Sequence, residues 1–482
     1  MIVLFQSIYL STPHYETELE LMKEHIIKGD KVYVLHCKGE LKSCFANFKD
    51  YKSICYSCQR RFKNGIKFMN NKVKIINYPL ENNKFYNVIP DVFENIEQLK
   101  LFKIGFAELG ICTASSLITA INKEHLLDTI IYKDIIAREI NNAYYVYLSF
   151  KELISNLKPD LVYLFNGRFS TVLPALNACE EMNINYITHE RGGKIGYYTL
   201  YKNTIPHNLE NISSEIKQIK NFIPEAEYKS DGCAFFEDRR KRIVHSWWSF
   251  TKNQIYNYLP ENFNNNRINI TFFNTTIEEY AAIRCWKKPI RIYKDEIDAI
   301  CNILDSFSTS QYHFYLRVHP NLTGLNNSQT QRINSLKNKY FNLTIIPAES
   351  KIDSYALMDN SNKVITFGST TGVEACYWGI PSILLGIALY KDLDCCYIPR
   401  SHEEVINLLN NELIPKSKNE AILYGYWELN RGYKFKYFNH TDLNTVKYND
   451  KTIDLNIFQK ILFYFLLILD KFYEKIFKVK YE

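Results

Sequence analysis

At the end of a short β-branched run the chain reads Phe367-Gly368-Ser369-Thr370-Thr371-Gly372-Val373-Glu374-Ala375, a strand feeding a helix through a tight turn of small hydroxyl residues. The first N–H groups of such a helix have no internal partner. The helix dipole adds about half a positive charge at the same place, and together they seat a phosphate. Gly368 lets the backbone come close. The hydroxyls of Ser369, Thr370 and Thr371 can donate to phosphate oxygens, and Glu374, about one turn into the helix, is placed for a sugar's hydroxyls. A capped helix start with no ligand has the same pattern, so the weight of the reading rests on the company this turn keeps.

Two more strand ends carry phosphate-competent groups. A run over 268–273 is followed by Asn274-Thr275-Thr276, and one over 312–316 by Arg317-Val318-His319-Pro320-Asn321. Arg317 and His319 suit the neutralisation of a phosphate, and His319 can also protonate or hydrogen-bond one as it leaves. In the first half, a run over 161–165 ends in Asn166-Gly167-Arg168 and one over 185–188 in His189-Glu190-Arg191-Gly192. Glu190 or His189 suits a general base, and Arg168 or Arg191 an anion clamp. A loop salt-bridge network is the competing reading. Cys37, Cys44, Cys55 and Cys58 share a short loop-like segment. The C-x-x-C spacing of the last two allows one tetrahedral structural zinc, against a reading as ordinary buried thiols. Asp392-Leu393-Asp394 has the spacing of a metal site, a pattern short enough to recur by chance.

These residues require parallel strands whose C-terminal ends share one edge, where ligands of open α/β sheets bind. The hydrophobic rhythm provides them. Strand-like runs over 2–6, 31–35 and 73–78, with a helical period over 15–27, open the chain as βαβ, without a G-x-G-x-x-G fingerprint. Residues 96–157 read as mainly helical, and 171–182 as a helix with Pro174 in its first turn. Residues 205–262 read as irregular. They carry the charge run 237–242, expected as a solvated helix face, and Trp247 and Trp248, expected to pack between domains. A second α/β pattern follows: strands over 268–273, 312–316, 343–346 and 381–385, helices over 290–307, 354–358 and 402–410, and Glu278-Glu279 after the first strand. The expected division is 1–262, with a Cys-rich insertion near 37–58; 267–430; and a helical tail, 431–482.

A chain of 482 residues exceeds one ordinary core. Its 59 basic against 52 acidic residues leave +7, which suits an anionic small ligand or an acidic membrane surface better than a duplex nucleic acid. The start lacks a signal-peptide pattern and no stretch is long enough to span a bilayer, so a cytoplasmic protein is expected, with its 12 cysteines as thiols or metal ligands. The apolar run 461–469, with Lys460, Lys471, Lys475, Lys478 and Lys480 around it, reads as a basic amphipathic helix on the inner face of the plasma membrane, or as a helix docked across the domains.

Taken in order, Asn166-Gly167-Arg168, His189-Glu190-Arg191-Gly192, Phe273-Asn274-Thr275-Thr276, Arg317-Val318-His319-Pro320-Asn321-Leu322 and the run 367–379 resemble bacterial capsule polysaccharide biosynthesis proteins. The resemblance implies a glycosyltransferase of the GT-B architecture: α/β, two Rossmann-like domains facing across a cleft. The N-terminal domain would bind a polysaccharide or glycolipid acceptor, and the C-terminal domain a nucleotide-sugar donor. The His-Pro pair followed by a Ser-Thr pair is also similar to sialyltransferases and Kdo transferases, which implies a CMP-linked donor. On that likeness His319 and Pro320 flank the nucleotide and Ser369 and Thr370 hold phosphate, with Asn274, Thr275, Thr276, Arg317, Gly368 and Glu374 around them. Asn166, Arg168 and Arg191 fall to the acceptor side, with Glu190 as base and His189 as its alternative. The acidic-acidic-glycine base motif of sialyltransferases has no clean match; Ser230-Asp231-Gly232 is nearest and lacks the first acid. Phosphate neutralisation by Arg and His makes a catalytic metal or other cofactor unnecessary on this reading. Polyol-phosphate transfer, sugar-nucleotide epimerisation and a non-catalytic scaffold of capsule assembly are the alternatives.

Overall fold

The structure, a computed structural model, describes the chain apart from residues 7–8, 42, 80–91, 122–127, 244, 246–249, 278–279, 287–291, 308–310, 338 and 477–482. Trp247, Trp248, Glu278, Glu279, Lys478 and Lys480 lie outside the described residues. The chain forms two units. Unit 1 is Met1–His207, Ala282–Arg284 and Arg431–Glu482; unit 2 is Asn208–Ala281 and Cys285–Asn430.

Unit 1 begins β1 (Ile2–Gln6), α1 (His14–Ile27), β2 (Lys31–Leu35), α2 (Lys52–Ile66), β3 (Val73–Ile76), α3 (Ile96–Leu101), α4 (Leu109–Ile121) and α5 (Lys133–Leu157). It continues with β4 (Leu161–Phe165), α6 (Leu173–Glu181), β5 (Tyr186–Arg191) and β6 (Tyr197–Lys202). β1 pairs in parallel with both β2 and β4. Covered on both faces, it reads as an unbroken apolar run, Val3-Leu4-Phe5, all fully buried. The order β6-β5-β4-β1-β2-β3 reverses direction of growth at the β1/β4 boundary. β6 was not foreseen. It pairs antiparallel with β5 (His189↔Leu200, Glu190↔Thr199, Arg191↔Tyr198) and so carries β5 through residues expected to lie beyond its end. Cys55 and Cys58 sit on α2, a helix where a loop was expected.

Unit 2 holds α7 (Leu209–Phe222), α8 (Glu225–Arg240), β7 (Ile268–Phe273), α9 (Glu296–Asp305), β8 (Tyr312–Arg317), α10 (Ser328–Leu336), β9 (Leu343–Ile346) and α11 (Ser354–Asp359). It ends with β10 (Lys363–Thr366), α12 (Thr371–Tyr377), β11 (Ser382–Leu384), α13 (His402–Asn410) and α14 (Lys418–Asn430). All five strands run parallel in the order β9-β8-β7-β10-β11, so the reversal lies between β7 and β10. One core joins the sheet to α9, α10 and α13, and another joins α7, α8, α12 and α14. The two units bear out the expected pair of Rossmann-like α/β domains.

The boundary between them differs from the expected one at 262. A Cβ on Gly232 would stand 2.2 Å from the Ile422 carbonyl oxygen, and one on Gly425 would stand 2.5 Å from that of Gly232. Two glycines thus let α8 and α14 touch backbone to backbone, which binds 208–240 into unit 2. The end of the charge run is not solvated as expected: Arg239 pairs with Glu374, and Arg240 with Asp359. The tail belongs to unit 1. There β12 (Tyr433–Lys434) pairs antiparallel with β6, β13 (Asn439–His440) pairs with β14 (Val446–Lys447), and α15 (Ile457–Ile476) follows.

Candidate functional site

Each unit presents a cluster of polar residues at its strand reversal. In unit 2 the ends of β10, β7 and β8 lie in register, Thr366 beside Phe273 and Phe273 beside Arg317, on strands about 4.8 Å apart. The backbone N–H of His319 donates to Asn274 Oδ1 at 2.8 Å, which ties the β8 exit to the β7 exit. Asn321 N–H donates to His319 Nδ1 at 3.2 Å, so the ring's proton resides on Nε2 when it is neutral. Pro320 starts the single 3₁₀ turn that follows. Gly368 has φ +152°, and a Cβ there would meet the Ile387 carbonyl oxygen at 2.5 Å and Thr275 Cγ2 at 3.7 Å. Only glycine brings the two loops this close. Gly368 to Thr371 are half-buried between buried flanks. The hydroxyls of Thr276 and Thr371 are buried and have no hydrogen-bond partner among the described residues.

Several expected donor-side groups are engaged elsewhere. Arg317 donates to Ser354 Oγ and to the carbonyls of Pro347 and Ser350, so its guanidinium holds the β9–α11 loop. Burial lowers its pKa to about 10. Thr275 directs both its N–H and its hydroxyl to the fully buried Glu296 carboxylate. Glu374 faces inward: Oε1 accepts from Arg239 and Thr370, and Oε2 from Tyr355 at 2.6 Å. Glu374 therefore clasps α8, α11 and α12 and is not turned toward a sugar. Thr370 belongs to the same clasp. Ser369 accepts from the Thr371 N–H at 3.3 Å on its hydroxyl and stays at the half-buried mouth.

In unit 1 the period of two along β5 separates the two candidate bases. His189 is fully buried, with Nε2 3.0 Å from Glu18 Oε1. It is a core pair beyond an acceptor's reach. Glu190 is 17% exposed, and it accepts from Asn166 Nδ2 at 2.7 Å and from the Arg191 N–H at 2.9 Å. His14, the first residue of α1, brings Nε2 to 3.5 Å from Glu190 Oε1. Burial pushes the Glu190 carboxyl up, but His14, the Arg191 N–H and Asn166 outweigh it and hold the pKa at about 2. Burial lowers His14 to about 4 against the pull of Glu190. A carboxylate at about 2 is a poor base by itself. His14 was missed by the sequence reading. Its signal was a histidine at the joint between the first strand and the first helix, and its Nδ1 is buried without a partner among the described residues. Arg191 donates to the Thr12 and Leu443 carbonyls, and Arg168 stacks on Phe169 and donates to Thr119. Arg191 thus braces backbone and is not set as an anion clamp.

Cys37, Cys44, Cys55 and Cys58 line one mainly apolar cavity of about 90 Å³. Burial raises all four thiol pKa values, away from the thiolate that zinc binds. Among the described residues no group of three or more His, Cys, Asp or Glu is arranged to hold a metal ion, so the zinc expectation does not fit this wall. Asp392 and Asp394 each pair with a lysine, Lys391 and Lys416. Asp231 accepts from Asn430 within unit 2.

Comparisons with known proteins give the following. No curated protein matches the sequence. Among solved structures, the chain is similar to Thermosulfurimonas dismutans KpsC, a beta Kdo 2,4 transferase, at 12% identity and TM-score 0.36, over 64% of this chain and 87% of that one. It is similar to a putative UDP-N-acetylglucosamine 2-epimerase from Listeria monocytogenes at 12% identity and TM-score 0.27, over 87% and 93%. CalG4, the calicheamicin glycosyltransferase, matches at 10% identity and TM-score 0.25, over 89% and 94%. Residues 288–393 match the family described as capsule polysaccharide biosynthesis protein. That segment, part of the chain, includes β8, β10 and the Gly368 turn, and it is similar to the capsule polysaccharide biosynthesis proteins.

Proposed function

We propose that this chain is a glycosyltransferase of capsular or other cell-surface polysaccharide assembly, with a nucleotide-sugar donor on unit 2 and the acceptor on unit 1. The observation that carries the reading is the unit 2 reversal. There a hydroxyl-rich turn made possible by Gly368, itself within the residues 288–393 that match the capsule family, meets the β7 exit. Buried hydroxyls without partners, Thr276 and Thr371, are what a polar ligand would satisfy.

On this reading the acceptor oxygen bonds to the sugar's anomeric carbon as the bond from that carbon to the donor phosphate breaks. Negative charge then develops on the departing phosphate. Ser369, Thr276, Thr371 and His319 are the groups at the reversal that would meet it. On unit 1, Glu190 with His14 beside it is the candidate base for the acceptor's proton. A CMP-linked donor is the finer form of the proposal, supported by the His319-Pro320 and Ser369-Thr370 pairs.

A thermal-shift panel with CMP, CDP, UDP, GDP and dTDP tests the donor side. A ligand at 100 times its Kd adds about 2.7 kcal/mol to the state that binds it. One nucleotide is expected to stabilise the protein, and Gly368→Ala to abolish that shift. CMP would support Kdo- or sialic-acid-like donors, CDP polyol phosphates, and the others hexose donors. His14→Gln is expected to keep nucleotide binding and lose transfer. Stabilisation by none of the five, or normal polymer from both His14→Gln and Glu190→Gln, would overturn the reading.

A further inference from the structure

Helix α15 inverts the usual polarity of a docked surface helix. Its six half-buried positions are Gln459, Phe463, Leu466, Leu467, Asp470 and Glu474, one stripe at helical spacing, and none of its residues is fully buried. That stripe carries both of its acids. Asp470 accepts from the Lys52 and Ser53 N–H groups, capping α2, whose own first turn has no acid. Glu474 accepts from Lys49 Nζ and Tyr51 OH. The negative charge is turned inward and anchored.

The outward surface is apolar and basic. Eleven large apolar side chains of α15 are 42–82% exposed, among them Phe458, Ile461, Tyr464, Phe465, Ile468, Phe472 and Tyr473. Lys460, Lys471 and Lys475 are exposed on the same helix. So large an apolar face is unstable in water and marks an interaction surface. Among the described residues no helix is long and apolar enough to cross a membrane, so this one does not span.

We propose that α15 is a membrane-docking helix that lies in the headgroup region of an anionic bilayer and holds unit 1 against it through the Asp470 and Glu474 anchors. Aromatic and aliphatic side chains interleaved with lysines match that interface. The sequestered acids remove the repulsion that an anionic surface would otherwise meet. A protein partner of ordinary composition gives no reason for lysines to border the apolar face along one edge. The inference stands apart from the enzymatic reading, since a scaffold could use the same helix.

The test is flotation of the full chain with vesicles of phosphatidylcholine alone and with an equal amount of phosphatidylglycerol. Binding is expected to the mixed vesicles and to weaken as salt rises. Each lysine near the surface is worth roughly fivefold in affinity. K460Q/K471Q/K475Q should therefore bind mixed vesicles roughly a hundredfold more weakly, and F458S/F465S/F472S should not float. Both variants alter exposed positions, and an unchanged far-ultraviolet dichroism spectrum in vesicle-free solution checks the fold. Absence of flotation by the wild type, or equal flotation by both variants, overturns the proposal. A concentration-dependent dimer that the serine variant dissolves, with no vesicle binding, assigns the face to a second copy and overturns it as well.

Discussion

Acidification should destabilise unit 1 through His14 before it touches Glu190. Burial lowers the folded His14 pKa from 6.5 to about 4. A histidine buried neutral stabilises the fold fully above its unfolded pKa and loses that contribution as pH falls toward the folded one. Glu190, held at about 2 against 4.5, contributes its own loss only at lower pH. Between pH 7.5 and pH 5 the His14 linkage therefore removes about 2 kcal/mol. His36, His207 and His440 are lowered too and act in the same direction, so wild-type behaviour alone cannot isolate one residue. The difference between wild type and His14→Gln can. Urea unfolding at the two pH values, followed by far-ultraviolet dichroism and by fluorescence, separates the units, because the unit 1 sequence has no tryptophan whereas Trp378 and Trp427 belong to unit 2. The unit 1 transition of the wild type should lose about 2 kcal/mol more than that of His14→Gln over this interval. An equal loss in both would refute the buried neutral state assigned to His14, and with it the pairing to Glu190.

Further outcomes follow from the clasps described above. Glu374→Ala leaves Arg239 and Tyr355 without their partner and should destabilise unit 2 by about 3 kcal/mol, read by tryptophan fluorescence in urea. Gly425→Ala forces a Cβ to 2.5 Å from the Gly232 carbonyl oxygen and should cost about 1–3 kcal/mol, visible as a lowered unit 2 midpoint. Arg317→Met should loosen the loop from Pro347 to Ser354, seen as faster hydrogen exchange there, and spare nucleotide-induced stabilisation.

Most strands were legible because they read as apolar runs, and β1, β2, β4 and β7 are paired on both sides. β1, β2, β4, β7 and β9 span the residues that hydrophobicity alone marks out. What escaped depended on partners distant in sequence. β6 is half polar and becomes a strand only beside β5. α8 looks like a charge run because Arg239 and Arg240 find their carboxylates on Glu374 and Asp359, far along the chain. The strand ends were correctly located as polar clusters, but residue type did not reveal which groups were already occupied. Glu296 and Thr275 are 21 positions apart, and nothing in either stretch announces the other. His14 could have been weighed from its place after the first strand, the edge where the other candidates were sought.

The touching backbones of α8 and α14 also constrain how this sequence can drift. A side chain at Gly232 would run into the Ile422 carbonyl on α14, and one at Gly425 into the Gly232 carbonyl on α8. Losing one does not make room for a larger residue at the other, so the two positions cannot compensate for each other. Relief would require the helices to separate, which would open the packing of Phe236 and Ile422 between them. Two segments nearly 200 positions apart are thus held to the same residue independently, and a chain ended before α14 would leave α8 with a bare groove in place of its neighbour.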